Sequence, residues 1–334
     1  MNSKKISTLK EYIKKEIKSL IKEDEESILT SRRTPEERLK NWKIATNKMV
    51  QQYIKDGSEG DLYLSELPFD IVLPDNLTIG GDLSMRNSKI TTLPNNLTVN
   101  GKLNISDTEI TTLPDSLKVS GDLDISDTKI TTFPDSLKVS GTLNIAHTKI
   151  TTLPDNLELK NLSLSNTKIK FLPDNLKVDG YLDLSDTEIT SLPNNLIANG
   201  NLMMANTKIQ SLPDNLKVNG LDVSNTPISV LPNRLNLTHL DISDTKIQSL
   251  PDDLKVSTIL YAINTPIQEL SKNLLKFKNW KGNQSTLKLD GSQIKTLPAE
   301  LEVKYLDIEN TPLSKKYTEE ELRSMLPNVK NLIV

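Results

Sequence analysis

The sequence predicts an α/β repeat solenoid of parallel strands, with a helical domain in front and a short helix–strand cap behind. Three observations predict it. A unit of about 20 residues recurs from about Leu73 to Lys315, each unit contains a stretch that alternates apolar and polar residues, and both ends lack the unit and carry helix signals instead. The expected boundaries are 1–57 for the helical domain, 58–315 for the solenoid and 316–334 for the cap.

In the front domain, Ile6, Leu9, Ile13, Ile17 and Leu20 follow helical spacing, and the run Glu23-Asp24-Glu25-Glu26 separates them from the second helical stretch. Thr34-Pro35-Glu36-Glu37 starts that second helix, with a capping Thr, Pro at the first position and a Glu placed to complete a capping box. Leu39, Trp42, Ala45, Met49 and Tyr53 continue it, and Gly57 ends it. This second helix is expected to cover the open end of the core. The first is either part of that cap or a docking element for an acidic partner. Asp61-Leu62-Tyr63-Leu64 reads as the first strand.

The unit is Leu-Pro-Asp-Asn-Leu-Lys-Val-x-Gly-x-Leu-x-Ile-Ser-x-Thr-x-Ile-x-x. Units starting at Leu153, Leu212, Leu231 and Leu297 have 19 residues, each losing one just before the Leu-x-Ile segment. A loss that returns to one place marks a turn, because a strand that lost a residue would turn its side chains to the wrong face. Leu123 and Ile125 flank Asp124, so one face of a short strand is buried and the other wet. The aliphatic residues of one unit cannot be covered within that unit, so successive units must stack. Pro after Leu enforces an extended path. Gly81, Gly101, Gly121, Gly141, Gly180, Gly200 and Gly220 sit at the turn entering the strand, where positive φ is expected.

Leu123-Asp-Ile125-Ser-Asp-Thr128-Lys-Ile130-Thr-Thr-Phe133-Pro-Asp-Ser-Leu137 resembles the leucine-rich-repeat consensus L-x-L-x-x-N-x-L-x-x-L-P-x-x-L, in the short bacterial class. The resemblance implies a right-handed coil with its parallel strands on a concave face that binds protein partners. Thr stands at the family's Asn position in Thr108, Thr128, Thr148, Thr167, Thr187, Thr207, Thr226, Thr245 and Thr265. A buried hydroxyl needs a partner, so these are expected to donate to backbone carbonyls. The alternative solenoid is a parallel β-helix with two strands per turn, the second drawn from Leu117-x-Val119.

At the far end Thr318-Glu319-Glu320-Glu321 is a second capping box, followed by Leu322, Met325, Leu326, a terminating Pro327 and a final strand Asn331-Leu332-Ile333-Val334. The unit from Leu270 is about seven residues longer than its neighbours and carries Lys272, Lys276, Phe277, Lys278, Trp280 and Lys281. Basic residues interleaved with aromatics can bind nucleic acid or acidic partners, or the rings can tuck inward from a longer loop.

The chain has no cysteine, which excludes disulfides, thiolate metal sites and a Cys nucleophile. Aromatics make up 4% of it, so the core must be aliphatic. His147 and His239 lie about five units apart, too far to share a metal. Asp122, Asp124 and Asp127 lack the Gly and Glu of a calcium loop. No phosphate loop or zinc-protease motif occurs. No catalytic, metal or cofactor residue is therefore expected, and the reading is a non-enzymatic scaffold. With no apolar run of spanning length and no signal-peptide core, the expected compartment is the cytoplasm of the producing or infected cell, or a virion.

Net charge is −3, divided between +5 over residues 1–57 and −8 over the rest. An acidic strand face would repel phosphates, which argues against nucleic acid there. A partner is expected to contact the apolar and aromatic residues of that face, Tyr181, Met203, Ile259, Tyr261 and Ile263, and the aromatics of the long unit, Phe277 and Trp280. Two other roles fit the pattern. One is a component of a larger assembly such as a phage particle, since the basic opening helix Leu9–Leu20 resembles openings of some tailed-phage proteins. The other is a secreted effector, since repeat-only bacterial effectors also place helices before their repeats.

Overall fold

The computed structural model of the chain describes residues 34–334 except 135, 271–273 and 275–284. The first predicted helix and the long unit's Phe277 and Trp280 lie outside the described residues. Helix α1 (Pro35–Lys55) starts at Thr34, whose hydroxyl accepts from the Glu37 N–H while the Glu37 carboxylate accepts from the Thr34 N–H. Gly57 takes φ +90 just past its end. Val50 and Tyr53 join the core, and the Tyr53 hydroxyl reaches the carbonyls of Ser58 and Gly60 at 2.8 and 2.9 Å. Trp42 sets its ring edge-on to Phe69 at 5.6 Å but stays 42% exposed, as does Leu39 at 41%.

Seven successive coils between Thr78 and Met203 then contribute two short strands each, and the other described coils contribute one. The coils up to Asn201 give β1 (Leu62–Tyr63), β2 (Thr78–Ile79), β3 (Leu83–Ser84), β4 (Thr98–Val99), β5 (Leu103–Asn104), β6 (Lys118–Val119), β7 (Leu123–Asp124), β8 (Lys138–Val139), β9 (Thr142–Asn144), β10 (Glu158–Leu159), β11 (Asn161–Ser163), β12 (Lys177–Val178), β13 (Leu182–Asp183) and β14 (Ile197–Ala198). From there on, β15 (Asn201–Met203), β16 (Gly220–Asp222), β17 (Asn236–Asp241), β18 (Lys255–Tyr261), β19 (Thr286–Lys288), β20 (Tyr305–Asp307) and β21 (Asn331–Ile333) complete the array. The Leu-x-Ile strands form one 14-stranded parallel sheet from β1 to β21, and the Leu-x-Val strands form two smaller parallel sheets of four and three strands. The second strip is the feature that the β-helix alternative foresaw. It sits on a corner of the same coil rather than replacing the Leu-Pro segment.

The 19-residue coils lose their residue at the corner between the two strips. In the unit from Leu231 the corner straightens, so that β17 runs unbroken for six residues. Its 20-residue neighbour keeps the extra residue, and the pairing shifts between Leu237 and His239. The interior holds stacked aliphatics, such as Leu117, Val119, Leu123, Ile125 and Ile130 of one coil. Each contributes roughly 1.5–3 kcal/mol by leaving water. Two helices follow the last full coil, α2 (Pro312–Lys316) and α3 (Glu319–Met325), and the second begins at the predicted Thr318–Glu321 capping box. β21 then pairs with β20.

The corner glycines depart from the conformation their place in the unit predicts. None of the seven has positive φ; among the described glycines that conformation belongs to Gly57, Gly60 and Gly291. Their reason is closeness between coils. A Cβ on Gly121 would lie 2.7 Å from the Gly101 carbonyl oxygen and 2.8 Å from its carbon. Left-handed positions instead include the residues just before the Thr column, such as Asp107 (φ 60), Asp127 (φ 55), His147 (φ 59) and Asn206 (φ 60), and a second set after the Leu-Pro step, such as Asn76 (φ 61) and Asn156 (φ 58). Asn, Asp and His are the residue types that tolerate this conformation. His147 therefore holds a backbone position, with its ring 2.8 Å from the Asn166 amide.

The threonines of the column are buried, and their hydroxyls donate to the carbonyl three residues earlier at 2.6–2.8 Å, as from Thr128 to Ile125 and Thr207 to Met204. Each bond closes a turn within its own coil.

Candidate partner-binding face

The outward side chains of the large sheet fall into register. Its central column runs Ser84, Asn104, Asp124, Asn144, Ser163, Asp183, Met203, Asp222, Asp241, Tyr261, Lys288 and Asp307, each opposite the next. Most of the polar members serve the fold. Asn104, Asp124, Asn144, Asp183, Asp222 and Asp241 each accept the N–H two residues ahead with Oδ1, at 2.9–3.1 Å, which ends the strand in an Asx turn. One column nearer the corner, Asp82, Asp122 and Asn161 accept the backbone N–H of Lys102, Thr142 and Tyr181 in the next coil. The sequence carries no direct sign of these roles, because a wet carboxylate and a turn-capping one look alike in a repeat.

The supposed calcium trio is thereby accounted for. Asp122 also pairs with the Lys102 ammonium at 2.8 Å, Asp124 caps its turn and Asp127 occupies a left-handed position. No group of acidic or histidine side chains that could hold a metal occurs among the described residues. No helix among them is long and apolar enough to cross a membrane.

One coil breaks the polar pattern. Ile259, Tyr261 and Ile263 occupy three successive outward positions at the end of β18 and in the turn after it, each partly exposed. The Lys288 ammonium lies over the Tyr261 ring, 5.0 Å from its centre. The long unit hides this neighbour relation in the sequence, where the two residues are 27 apart. Tyr181, just before β13, and Met203 of β15 lie on adjacent coils, the former 37% exposed. Three strand spacings, about 14 Å, separate Met203 from the β18 group, so the candidates form two clusters on one face.

Electrostatics at the face are mild. Burial, with Asp183, Asp122 and Asp124 nearby, pushes the Tyr181 phenol above its ordinary value. Burial also raises the Asp241 carboxyl, with Asp222 and Asp244 adding to the effect against the hydrogen bonds from Ser243. At the first coil, burial and the acceptor Asp61 push the Tyr63 phenol up to about 12. Away from the face, Val72, Phe171 and Val230 are the most exposed apolar side chains among the described residues, at 80, 70 and 71%. They lie several coils apart and form no patch.

Two solved structures share this architecture. YopM from Yersinia enterocolitica WA-314 is 23% identical, with a TM-score of 0.50 over 79% of this chain and 61% of that one. YopM of Yersinia pestis, described as a leucine-rich effector protein, is 18% identical, with a TM-score of 0.53 over 85% of this chain and 90% of that one. The chain thus spans less than two thirds of the first protein's length. No family profile matches the chain, and no curated protein sequence matches it. By its repeat, its parallel sheet and these likenesses, the chain has the fold of a leucine-rich-repeat solenoid.

Proposed function

We propose that the chain is a non-enzymatic scaffold that grips a protein partner on the outward face of its large sheet, with β18 as the anchor. The observation that carries this reading is the run Ile259, Tyr261 and Ile263 on one coil, in a face where most polar side chains of the central column cap their own turns. Partly buried aromatic and aliphatic side chains on a wet face are the usual sources of binding energy, whereas repeated Asp and Ser are not. The rigid sheet holds them ready without an ordering cost at each encounter. Residues 1–33, with nine Lys/Arg against six Asp/Glu, offer a second contact to an acidic partner.

Affinity capture tests the proposal with three baits: the intact chain, the chain lacking residues 1–30, and a Tyr261→Ser/Ile263→Ser variant. A protein that is held stoichiometrically by the first two and lost by the third supports the face as the site. Equal capture by the variant refutes it. A partner lost only without residues 1–30 moves the function to that segment. If the captured partner comes from a host cell, the chain acts as an effector, the role named for the Yersinia pestis protein.

A further inference from the structure

We infer that the β18 anchor takes an extended, basic segment of the partner, with Lys or Arg placed on both sides of one aliphatic or aromatic residue. The inference rests on the protein-binding reading above and gives the partner its chemistry. On the two strands to either side and the turns that end them, the exposed or half-exposed charges among the described residues are Asp222, Asp241, Asp244, Asp290, Asp307 and Glu309 against Lys288, with Lys304 just before β20 held over the Tyr305 ring. The apolar group is thus ringed by carboxylates. Asp222 and Asp241 use Oδ1 for their own turns, and no bond to a described residue engages Oδ2 of either. The burial that destabilises the Asp241 carboxylate would be offset by an incoming cation. The Tyr261 ring already carries one ammonium over its face, so a guanidinium there meets the same chemistry.

Spacing makes the inference specific. Adjacent strands lie about 4.8 Å apart, so Asp222 and Asp307 stand about 10 Å on opposite sides of Tyr261. A segment in the polyproline II form rises about 3.1 Å per residue and returns every third side chain to the same face, which places the matching cations roughly three residues before and after the apolar one.

Panning a random 12-residue phage-displayed peptide library on the full chain tests this. The expected result is enrichment of an aliphatic or aromatic residue with Lys or Arg about three positions to either side. Synthetic copies should bind, weaken with added salt, and lose roughly tenfold or more on Tyr261→Ser. They should also weaken on Asp222→Asn/Asp241→Asn. Those changes keep the fold, because Asn104 and Asn144 make the same turn bond at equivalent positions. Enrichment of acidic or neutral peptides, no enrichment, or full binding by the Asn variant would overturn the inference. If Tyr261→Ser abolishes partner capture and the Asn variant does not, the binding face stands and the basic segment falls.

Discussion

Thr187→Val isolates the hydroxyl column from packing. Thr187 is buried, 4% exposed, and its hydroxyl donates to the Leu184 carbonyl at 2.6 Å. Val has nearly the same shape, so the change deletes one donor and fills the space with a methyl group. The Leu184 carbonyl then loses its partner inside the coil, at a cost of about 1–3 kcal/mol. Thr187→Ser keeps the donor and loses a methyl, worth roughly 0.8 kcal/mol. A solenoid opens locally, so the loss is best read at neighbouring amides rather than in a single melting point. The Asp186 amide, bonded to the Ala205 carbonyl at 2.9 Å, reports on this turn. Its hydrogen exchange should quicken roughly 5- to 150-fold in the Val variant, as each 1.4 kcal/mol is tenfold, and several-fold in the Ser variant. Wild-type exchange in Thr187→Val would refute the claim that the hydroxyl satisfies the coil.

Other positions make independent predictions. Gly121→Ala should destabilise strongly in urea titration, by about 3 kcal/mol or more, because its Cβ would meet the Gly101 backbone at 2.7 Å. Gly57→Ala, with φ +90 and open space around it, should cost only about 1 kcal/mol. At Asp107, φ 60, Val should cost about 1–2 kcal/mol while Gly is tolerated, as measured by the same titration. The Tyr63 phenol should ionise near pH 12 by ultraviolet absorbance, and Asp61→Asn should bring that value down. Because the folded value lies above the ordinary 10.0, the associated stability is intact below pH 10 and lost as pH rises toward 12.

The parts legible in the sequence are those governed by local chemistry or by period. The two capping boxes at Thr34 and Thr318 form as read, because a cap needs nothing beyond its own first turn. The alternation of Leu123, Asp124 and Ile125 gave the buried and wet faces. What failed depended on the next coil. Gly121 reads as a turn glycine within its unit, and only stacking reveals that it sits against Gly101. The second strip of strands, read only as part of the β-helix alternative, is likewise a relation between coils, such as Val119 opposite Val139. At the candidate face, the sequence singled out Tyr261 by its chemistry but could not show Lys288 above it, across the longest unit.

Hydroxyl-radical footprinting of the chain, free and bound to its captured partner, tests the central claim most directly. Oxidation of Tyr261 should fall on binding, while Phe171, 70% exposed and away from the outward columns, should label equally in both states. Unchanged labelling of Tyr261, with protection appearing instead at Phe171 or at Trp42 of α1, would contradict a binding role for the strand face.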